Sequence, residues 1–201
     1  VANPFFAFYV ASDPGNSKAN LFQLYQAGTG LPDRDYYLAK EHKAILDAYK
    51  DHMKRMFGLC GFSQEEAAAK TDKVLALETA LAKFQYDRVT LRDPHKSYNK
   101  MTVDELQKTV PEINWNAYLK NISPDFEVTE LSAGQVDFMK GMGKLYAAAD
   151  METMKAYLEW NIINSAAADL SDELNQANFD FYGKVMSGQT EMKPRWKRCV
   201  S

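Results

Sequence analysis

Apolar side chains recur at intervals of three and four residues over most of the chain beyond residue 43. Ile45, Tyr49, His52 and Met56 form the first of these stripes. This spacing is that of one face of an α-helix, so the chain must bury most of its apolar surface between helices. Further stripes are Val74, Leu77, Leu81 and Phe84; Val136, Met139, Met142 and Leu145; and Met154, Tyr157, Leu158 and Ile162. We therefore predict a mainly α protein with about seven helices.

The first 38 residues have a different pattern. Two β-prone runs, Phe5–Val10 and Asn20–Gln26, flank a dense group of turn-forming residues at 12–17. This arrangement predicts one N-terminal β-hairpin with a longer loop. We predict two parts: residues 1–38, with the hairpin and the corner that follows it, and residues 39–201, a helical lobe in one compact unit.

Several helix starts carry capping signals. Ser63 with Glu66 and Thr102 with Glu105 have the spacing of capping boxes, in which each side chain satisfies a backbone N–H. Ser132 is predicted to cap a later helix. Residues 126–129 alternate in polarity, which is consistent with either a brief strand or an extended link.

The segment Gly30-Leu31-Pro32-Asp33-Arg34-Asp35-Tyr36-Tyr37-Leu38 is the most informative loop. Pro32 fixes φ, and Asp33 can close an Asx turn on the backbone behind it. Paired tyrosines need partners for their hydroxyl groups if they are buried. Two interpretations remain open: a tethered structural corner, or a surface that lines a cavity or contacts another lobe. The candidate residues are Asp33, Arg34, Asp35, Tyr36 and Tyr37.

Composition excludes several classes of protein. The net charge is −3 and no basic stripe indicates a nucleic-acid or membrane-surface partner. No apolar run approaches the ~18 residues that a membrane span requires. Arg88 and Arg92 either grip a carboxylate ligand or pair within the chain with Asp87, Asp93 or a helix C-terminus. His52 lies on an apolar stripe and is predicted to be a core or boundary histidine with satisfied hydrogen bonds, rather than a metal ligand.

Three landmarks resemble the neprilysin-type zinc metallopeptidases. The first is the Leu-Pro-Asp-Arg-Asp-Tyr-Tyr corner after Gln23–Gln26. The second is Tyr98–Thr102, followed by Val110-Pro111-Glu112-Ile113-Asn114-Trp115, and the third is Pro194-Arg195-Trp196-Lys197-Arg198-Cys199. They occur in the family's order and span essentially the whole chain.

The resemblance does not extend to the family's catalytic motifs. The family's His-Glu-x-x-His helix places two imidazoles on one face to bind zinc, and its glutamate activates water. His42, His52 and His95 are the only histidines, and none has another four residues away. We therefore expect an internal fragment from the N-terminal side of the catalytic region, with no catalytic, metal-binding or cofactor-binding residue of its own.

The resemblance also bears on the two cysteines. In animal members of the family the cysteine at the third landmark is disulfide-bonded, to a partner that would lie upstream of Val1. Cys60 matches no family cysteine. Both Cys60 and Cys199 are therefore predicted to be free.

Taken as a family member, the chain is expected to be the non-catalytic helical lobe of a zinc metalloendopeptidase, enclosing a cavity and limiting substrate size. Its expected partners are the missing C-terminal catalytic region, peptide substrates and, through uncovered apolar surface, itself. Zinc would belong to the parent enzyme. Export to a bacterial periplasm or cell surface is expected, with the cytoplasm as the alternative. The second hypothesis is a stand-alone helical peptide-binding or scaffolding module without enzymatic activity.

Overall fold

The computed structural model describes residues 3–200. Within them it has ten α-helices and one four-stranded sheet, so the predicted mainly α class is confirmed. The count exceeds the predicted one because several helices, such as α1 and α4, are single turns without a stripe of their own. The helices are α1 Asp35–Leu38, α2 Lys43–Leu59, α3 Gln64–Phe84, α4 Pro94–Ser97, α5 Val103–Thr109, α6 Trp115–Ile122, α7 Val136–Ala148, α8 Met151–Ala166, α9 Asp172–Asn178 and α10 Arg195–Val200.

The sheet contains the predicted hairpin and two short strands. Its strands are β1 Phe6–Asp13, β2 Asn16–Gln26, β3 Lys100–Thr102 and β4 Glu130–Ala133, in the order β1-β2-β4-β3. β1 and β2 are antiparallel, β2 and β4 are parallel, and β3 and β4 are antiparallel. The pairing of β4 with β2 brings residues more than a hundred positions apart into one ladder, which no local pattern indicates.

The strand β4 corrects one prediction. Ser132 lies within it, so the prediction that Ser132 caps a helix is wrong; α7 begins at Val136, after Gln135. The backbone around Ser132 pairs with β2 and β3, and this tertiary pairing replaces the helical bonds that a capping serine would begin. Residues 126–129, which precede the strand, form the extended link.

The described chain divides into two compact units. We call residues 3–38 and 77–151 the hairpin unit, and residues 39–76 and 152–200 the α2 unit. The helix α3 contributes its first part to the α2 unit and its second part to the hairpin unit. The predicted division into 1–38 and 39–201 stays a prediction.

The α2 unit is held by an aromatic core. The Trp160 indole N–H donates to the Tyr49 hydroxyl at 2.9 Å, and both residues are buried. His52 stacks on Phe181 with ring centroids 4.9 Å apart. His52 is therefore a core residue, as the apolar stripe predicted. Phe181 belongs to a π-helix, Phe179–Val185, which continues directly from α9.

The hairpin unit packs one face of its sheet against α6. Phe6 contacts the Trp115 ring with centroids 5.5 Å apart, and Trp115 is fully buried. The Trp115 indole N–H donates to the Val110 carbonyl at 3.0 Å, so this large side chain leaves no polar atom without a partner. Leu24 and Leu131 complete this core from the two parallel strands. No helix within residues 3–200 has the length and apolar character needed to cross a membrane.

The capping box of α5 provides a test of local stability. The Thr102 hydroxyl accepts from the Glu105 N–H at 3.2 Å, and the Glu105 carboxylate accepts from the Thr102 N–H at 2.8 Å. Thr102→Ala is expected to lower the free energy of unfolding by about 1 kcal/mol, the usual value of an N-cap. Thr129→Ala, at an exposed site outside any helix, is the matched control. Equal effects of the two changes in urea unfolding would contradict the assignment.

Candidate functional site

The corner from Leu31 to Leu38 begins with the predicted Asx turn. The Asp33 carboxylate accepts from the Asp35 N–H at 2.9 Å, so the turn closes on the residue ahead rather than on the backbone behind. The Asp33 carbonyl accepts from the Tyr36 N–H at 3.2 Å and the Arg34 carbonyl from the Tyr37 N–H at 3.0 Å. These bonds form the single turn of α1.

Tyr37 fixes this turn to α3. Its hydroxyl donates to the Glu78 carboxylate at 2.7 Å and accepts from the Leu31 N–H at 2.9 Å. Leu31 and Glu78 are each only 1% exposed, so both polar groups depend on partners inside the protein. Tyr37 therefore links two buried groups with one hydroxyl.

Arg34 connects the corner to the end of α3. Its guanidinium donates to the Gln85 carbonyl, close to the last turn of that helix. The buried Gln85 amide donates in turn to the Thr29 hydroxyl at 3.2 Å. One residue further on, the backbone of Tyr86 makes two bonds with the Gln26 side chain, of 2.7 and 3.1 Å. The loop after β2 is thus tied to the segment after α3 along its length.

Arg88 makes an ion pair within the chain. Its Nε lies 2.6 Å from the Asp33 carboxylate. This bond is the main reason that the pKa of Arg88 is raised above its ordinary value. Pairing inside the chain was one of the two predicted possibilities, but the partner is Asp33 rather than Asp87, Asp93 or a helix end.

The predicted site residues occupy different environments. Asp33 and Arg34 line an open cavity of about 300 Å³, together with Gln85, Tyr86 and Arg88 among others. Asp35 is exposed, Tyr36 is half-buried and Tyr37 is buried. The structure therefore brings Asp33 and Arg34 to one surface, whereas Tyr37 acts beneath it. The role of these five residues in lining a substrate cavity or contacting another lobe stays a prediction.

Sequence reasoning missed a second polar cluster at the hairpin turn. The buried Asp13 carboxylate accepts from the Tyr98 hydroxyl at 2.6 Å and from the Gly15 N–H at 2.8 Å. The Tyr98 bond is the largest cause of a lowered pKa at Asp13. Lys100 lies 3.4 Å from Asp13 and 3.0 Å from Glu130. Tyr98 and Lys100 belong to the second sequence landmark, which was the available signal that this segment is held in place.

The described residues do not form a site that fits zinc. Within residues 3–200, no three or more His, Cys, Asp or Glu side chains are arranged to hold a metal ion. His52 is buried among aromatic rings and His95 is exposed on α4. Cys60 and Cys199 are both exposed and form no disulfide.

Arg34 in the corner and Arg88, which pairs with Asp33 of the corner, are expected to contribute differently to the free energy of unfolding. Arg34→Ala is expected to lower the free energy of unfolding by about 2 kcal/mol, because it removes a charge-assisted hydrogen bond to a partly buried carbonyl. Arg88→Ala is expected to lower it by less than about half of that amount, because the Arg88 side chain is 66% exposed and Asp33, whose side chain is only 9% exposed, keeps its bond from the Asp35 N–H. A larger loss for Arg88→Ala than for Arg34→Ala would contradict this assignment.

Comparison with known proteins gives consistent matches over the whole chain. The model of "Peptidase family M13" matches residues 1–201. Human endothelin-converting enzyme 1 is 33% identical over 99% of this chain and 26% of that protein. The chain thus spans about a quarter of the length of the curated relatives that it matches.

Solved structures agree with the sequence matches. The zinc metalloprotease Zmp1 of Mycobacterium tuberculosis, in its open state, aligns with a TM-score of 0.94 and 34% identity, covering 99% of this chain and 31% of that one. PepO from Lactobacillus rhamnosis aligns with a TM-score of 0.82 at 21% identity, covering 96% of this chain and 31% of that one, and shows the likeness of fold alone.

Proposed function

The chain belongs to peptidase family M13, the neprilysin-type zinc metallopeptidases, and from this premise we propose that it is the non-catalytic helical lobe of a peptide-cleaving enzyme. In this proposal the lobe forms walls of a chamber and admits peptides while excluding folded proteins. The observation that carries the proposal is the family match over the entire chain combined with the lack of a metal-binding cluster within residues 3–200. Rigid walls limit substrate size without contributing any reactive group.

The proposal assigns the chemistry to a C-terminal catalytic region of the same protein. That region would hold the zinc, which polarises the peptide carbonyl and lowers the pKa of its bound water. The residues of this chain contribute shape instead: the bonds of Tyr37 and Arg34 hold the corner rigid beside its cavity. We propose that Asp33, Arg34, Asp35 and Tyr36 lie at the surface that lines the chamber or contacts the other lobe, and that the buried Tyr37 supports this surface from beneath.

The experiment compares the chain alone with the chain continued by its own downstream coding sequence. Alone, the chain is expected to bind no stoichiometric zinc and to leave a fluorogenic peptide intact. Continued through a catalytic region, it is expected to cleave the peptide and to spare a folded protein that contains the same peptide sequence. One tightly bound zinc per isolated chain, or peptide cleavage by the chain alone, would overturn the proposal.

The second candidate is a stand-alone helical peptide-binding or scaffolding module. The cavities of the hairpin unit favour it over other non-enzymatic roles, because they offer both apolar and polar surface that a peptide can contact. Sequencing beyond Ser201 separates the two candidates: a His-Glu-x-x-His segment supports the enzyme, and a stop codon supports the module.

For the parent enzyme we propose export from a bacterial cell, with the cytoplasm as the alternative.

Self-association is a further part of the proposal. Trp196 and Val200 in α10 are large apolar side chains that are well exposed. Exposed apolar surface of this kind promotes association between molecules. Light scattering at high protein concentration is expected to show species larger than the monomer, and a strictly monomeric result would contradict this part.

A further inference from the structure

The outer strand of the sheet, β1, has a hydrogen-bonding edge that no other strand within residues 3–200 uses. In the order β1-β2-β4-β3, its single neighbour among the described strands is β2. An edge strand presents a row of N–H and C=O groups to whatever lies beyond it. β1 is eight residues long, so this row is long enough to pair with a short extended segment.

The direction of the free groups follows from the bonds that β2 makes on its other side. The Leu24 carbonyl accepts from the Gly134 N–H at 2.9 Å, which turns Leu24 toward β4. Alternate residues of a strand bond to opposite sides, so Leu24 does not bond to Phe8, its Cα partner in β1. Phe8, and Val10 two residues further on, therefore direct their N–H and C=O groups away from β2. Within residues 3–200 these groups have no hydrogen-bond partner.

β1 also lacks the features that ordinarily protect an edge. Between Phe6 and Ser12 it has no charged residue and no proline, although such residues normally block pairing with another chain. Its register shift comes only at its end, between Ser12 and Asp13. Val10 is 64% exposed and Phe8 is 42% exposed, so the edge offers apolar side chains as well as backbone groups.

Two cavities lie on opposite faces of this strand. Phe8 and Val10 line one of about 480 Å³. Tyr9, whose side chain points to the other face, lines one of about 450 Å³ with Tyr25 and Tyr98. A strand added beside β1 would send alternate side chains to the same two faces, where neighbouring side chains approach closely. Backbone bonds supply affinity in such binding, and pockets for alternate side chains supply specificity.

The charges around the larger cavity select among possible occupants. Asp13, Glu127 and Glu130 line it, and Lys100 is the one cation among its lining residues. A second copy of this chain would bring a like-charged rim against this one, and each copy carries a net charge of −3. A segment that carries a basic residue would complement the excess of carboxylates.

We propose that the free edge of β1 binds an extended peptide by β-strand addition, with apolar side chains of the peptide on the Phe8 side and a basic side chain near Glu127 and Glu130. The inference rests on the proposed function in one respect: the ligand is taken to be a peptide of the kind that the enzyme admits. In this proposal β1 positions the bound peptide and contributes no reactive group.

The test uses a fluorescein-labelled, amidated hexapeptide, Thr-Val-Thr-Val-Thr-Lys, with the 201-residue chain. Fluorescence anisotropy is expected to show saturable binding, and amide exchange at Phe8 and Val10 is expected to slow when the peptide is bound. The matched control is the same peptide with alternate backbone nitrogens methylated, which removes donors without changing side chains. It is expected to bind at least about tenfold more weakly, because two or more hydrogen bonds are lost.

Variants of the strand provide the complementary test. Val10→Pro removes an outward N–H while leaving the β1–β2 ladder bonds in place, and it is expected to weaken binding about tenfold. Val10→Thr keeps both the N–H and the β-branched shape, and it is expected to bind within about twofold of the unchanged chain. Circular dichroism confirms that each variant is folded. A peptide with Glu in place of Lys is expected to bind more weakly, with a difference that shrinks at high salt.

Three results would overturn the inference. These are no saturable binding of the parent peptide, equal binding of the methylated peptide, and a concentration-dependent dimer in which the Phe8 and Val10 amides are already protected, which would assign the edge to a second copy. Binding is measured without catalysis, so its failure is distinct from failure of the proposed function. A chain that binds the peptide but shows no cleavage when continued downstream refutes the enzyme and leaves the edge site standing.

Discussion

The Tyr37→Phe variant is expected to lower the free energy of unfolding by about 3 kcal/mol. The change deletes one oxygen atom, and with it the bonds of 2.7 Å to the Glu78 carboxylate and 2.9 Å from the Leu31 N–H. Both partners are almost completely buried, so neither regains a bond to water. A buried polar group that loses a hydrogen bond and cannot replace it with water bears a desolvation cost of about 1–3 kcal/mol, and here two groups each lose one bond.

Urea unfolding of Tyr37→Phe is best compared with that of Tyr25→Phe. Tyr25 is half-buried, and its hydroxyl has no hydrogen-bond partner within residues 3–200, so its removal is expected to change stability by less than about 0.5 kcal/mol. A double change, Tyr37→Phe with Glu78→Gln, is expected to cost less than the sum of the two single changes, because they share one bond. Additive losses would show that the bond between the Tyr37 hydroxyl and Glu78 does not contribute to stability.

The second large effect is a loss of stability in acid that depends on His52. Burial among aromatic rings is the main cause that lowers the pKa of His52 from 6.5 to about 4, and the nearby Arg55 cation lowers it further. Its Nε2 atom is buried without a hydrogen-bond partner within the described residues, which corrects the prediction of satisfied hydrogen bonds. The folded state therefore resists protonation, whereas the unfolded chain takes up the proton near pH 6.5.

The sign of the effect follows from this difference in pKa. The contribution of His52 is fully present above pH 6.5, falls as the pH drops, and is lost near pH 4. Between pH 7.5 and 4.5 the expected loss is about 2.5 kcal/mol. The other charged groups near His52 are Asp51 and Arg55 on α2 and Asp180 on the π-helix. The pKa of Asp180 is lowered from its ordinary value of 3.8, so Asp180 remains ionised between pH 7.5 and 4.5.

Two variants isolate the contribution of His52. His52→Phe keeps a flat ring against Phe181 and cannot be protonated, so its stability is expected to change little between pH 7.5 and 4.5. His95→Phe changes an exposed histidine and is expected to retain the loss of the unchanged chain. If both variants lose stability equally in acid, His52 is not the responsible group.

The features that were predicted correctly are those that depend on residues close together in the sequence. The hairpin follows from two β-prone runs around a cluster of turn formers, and it is present as β1 and β2. The two capping boxes, at Ser63 and Thr102, are formed because the residues that make each box are three positions apart. The buried positions Tyr49, His52 and Met56 follow from helical spacing. In each case the physical cause lies within a few residues of the chain.

The candidate site was only partly accessible from sequence. The Leu-Pro-Asp-Arg-Asp-Tyr-Tyr pattern indicated a pinned corner, and the Asx turn at Asp33 is formed. The partners that pin it, Glu78 and Gln85, are 41 and 51 residues away from Tyr37 and Arg34 in the sequence, and they belong to no motif. A buried glutamate on a helix is indistinguishable in sequence from a solvated one, because its burial depends on what packs over it.

The sequence alone determined the helical class, the N-terminal hairpin and the family, since these depend on periodicity, turn chemistry and motif order. The tertiary structure alone decided that Ser132 lies in a strand, that Tyr37 joins Leu31 to Glu78, and that β1 is an open edge. The physical reason is range: capping and amphipathic spacing act between near neighbours, whereas sheet pairing and buried hydrogen bonds join residues that the chain brings together only when it folds.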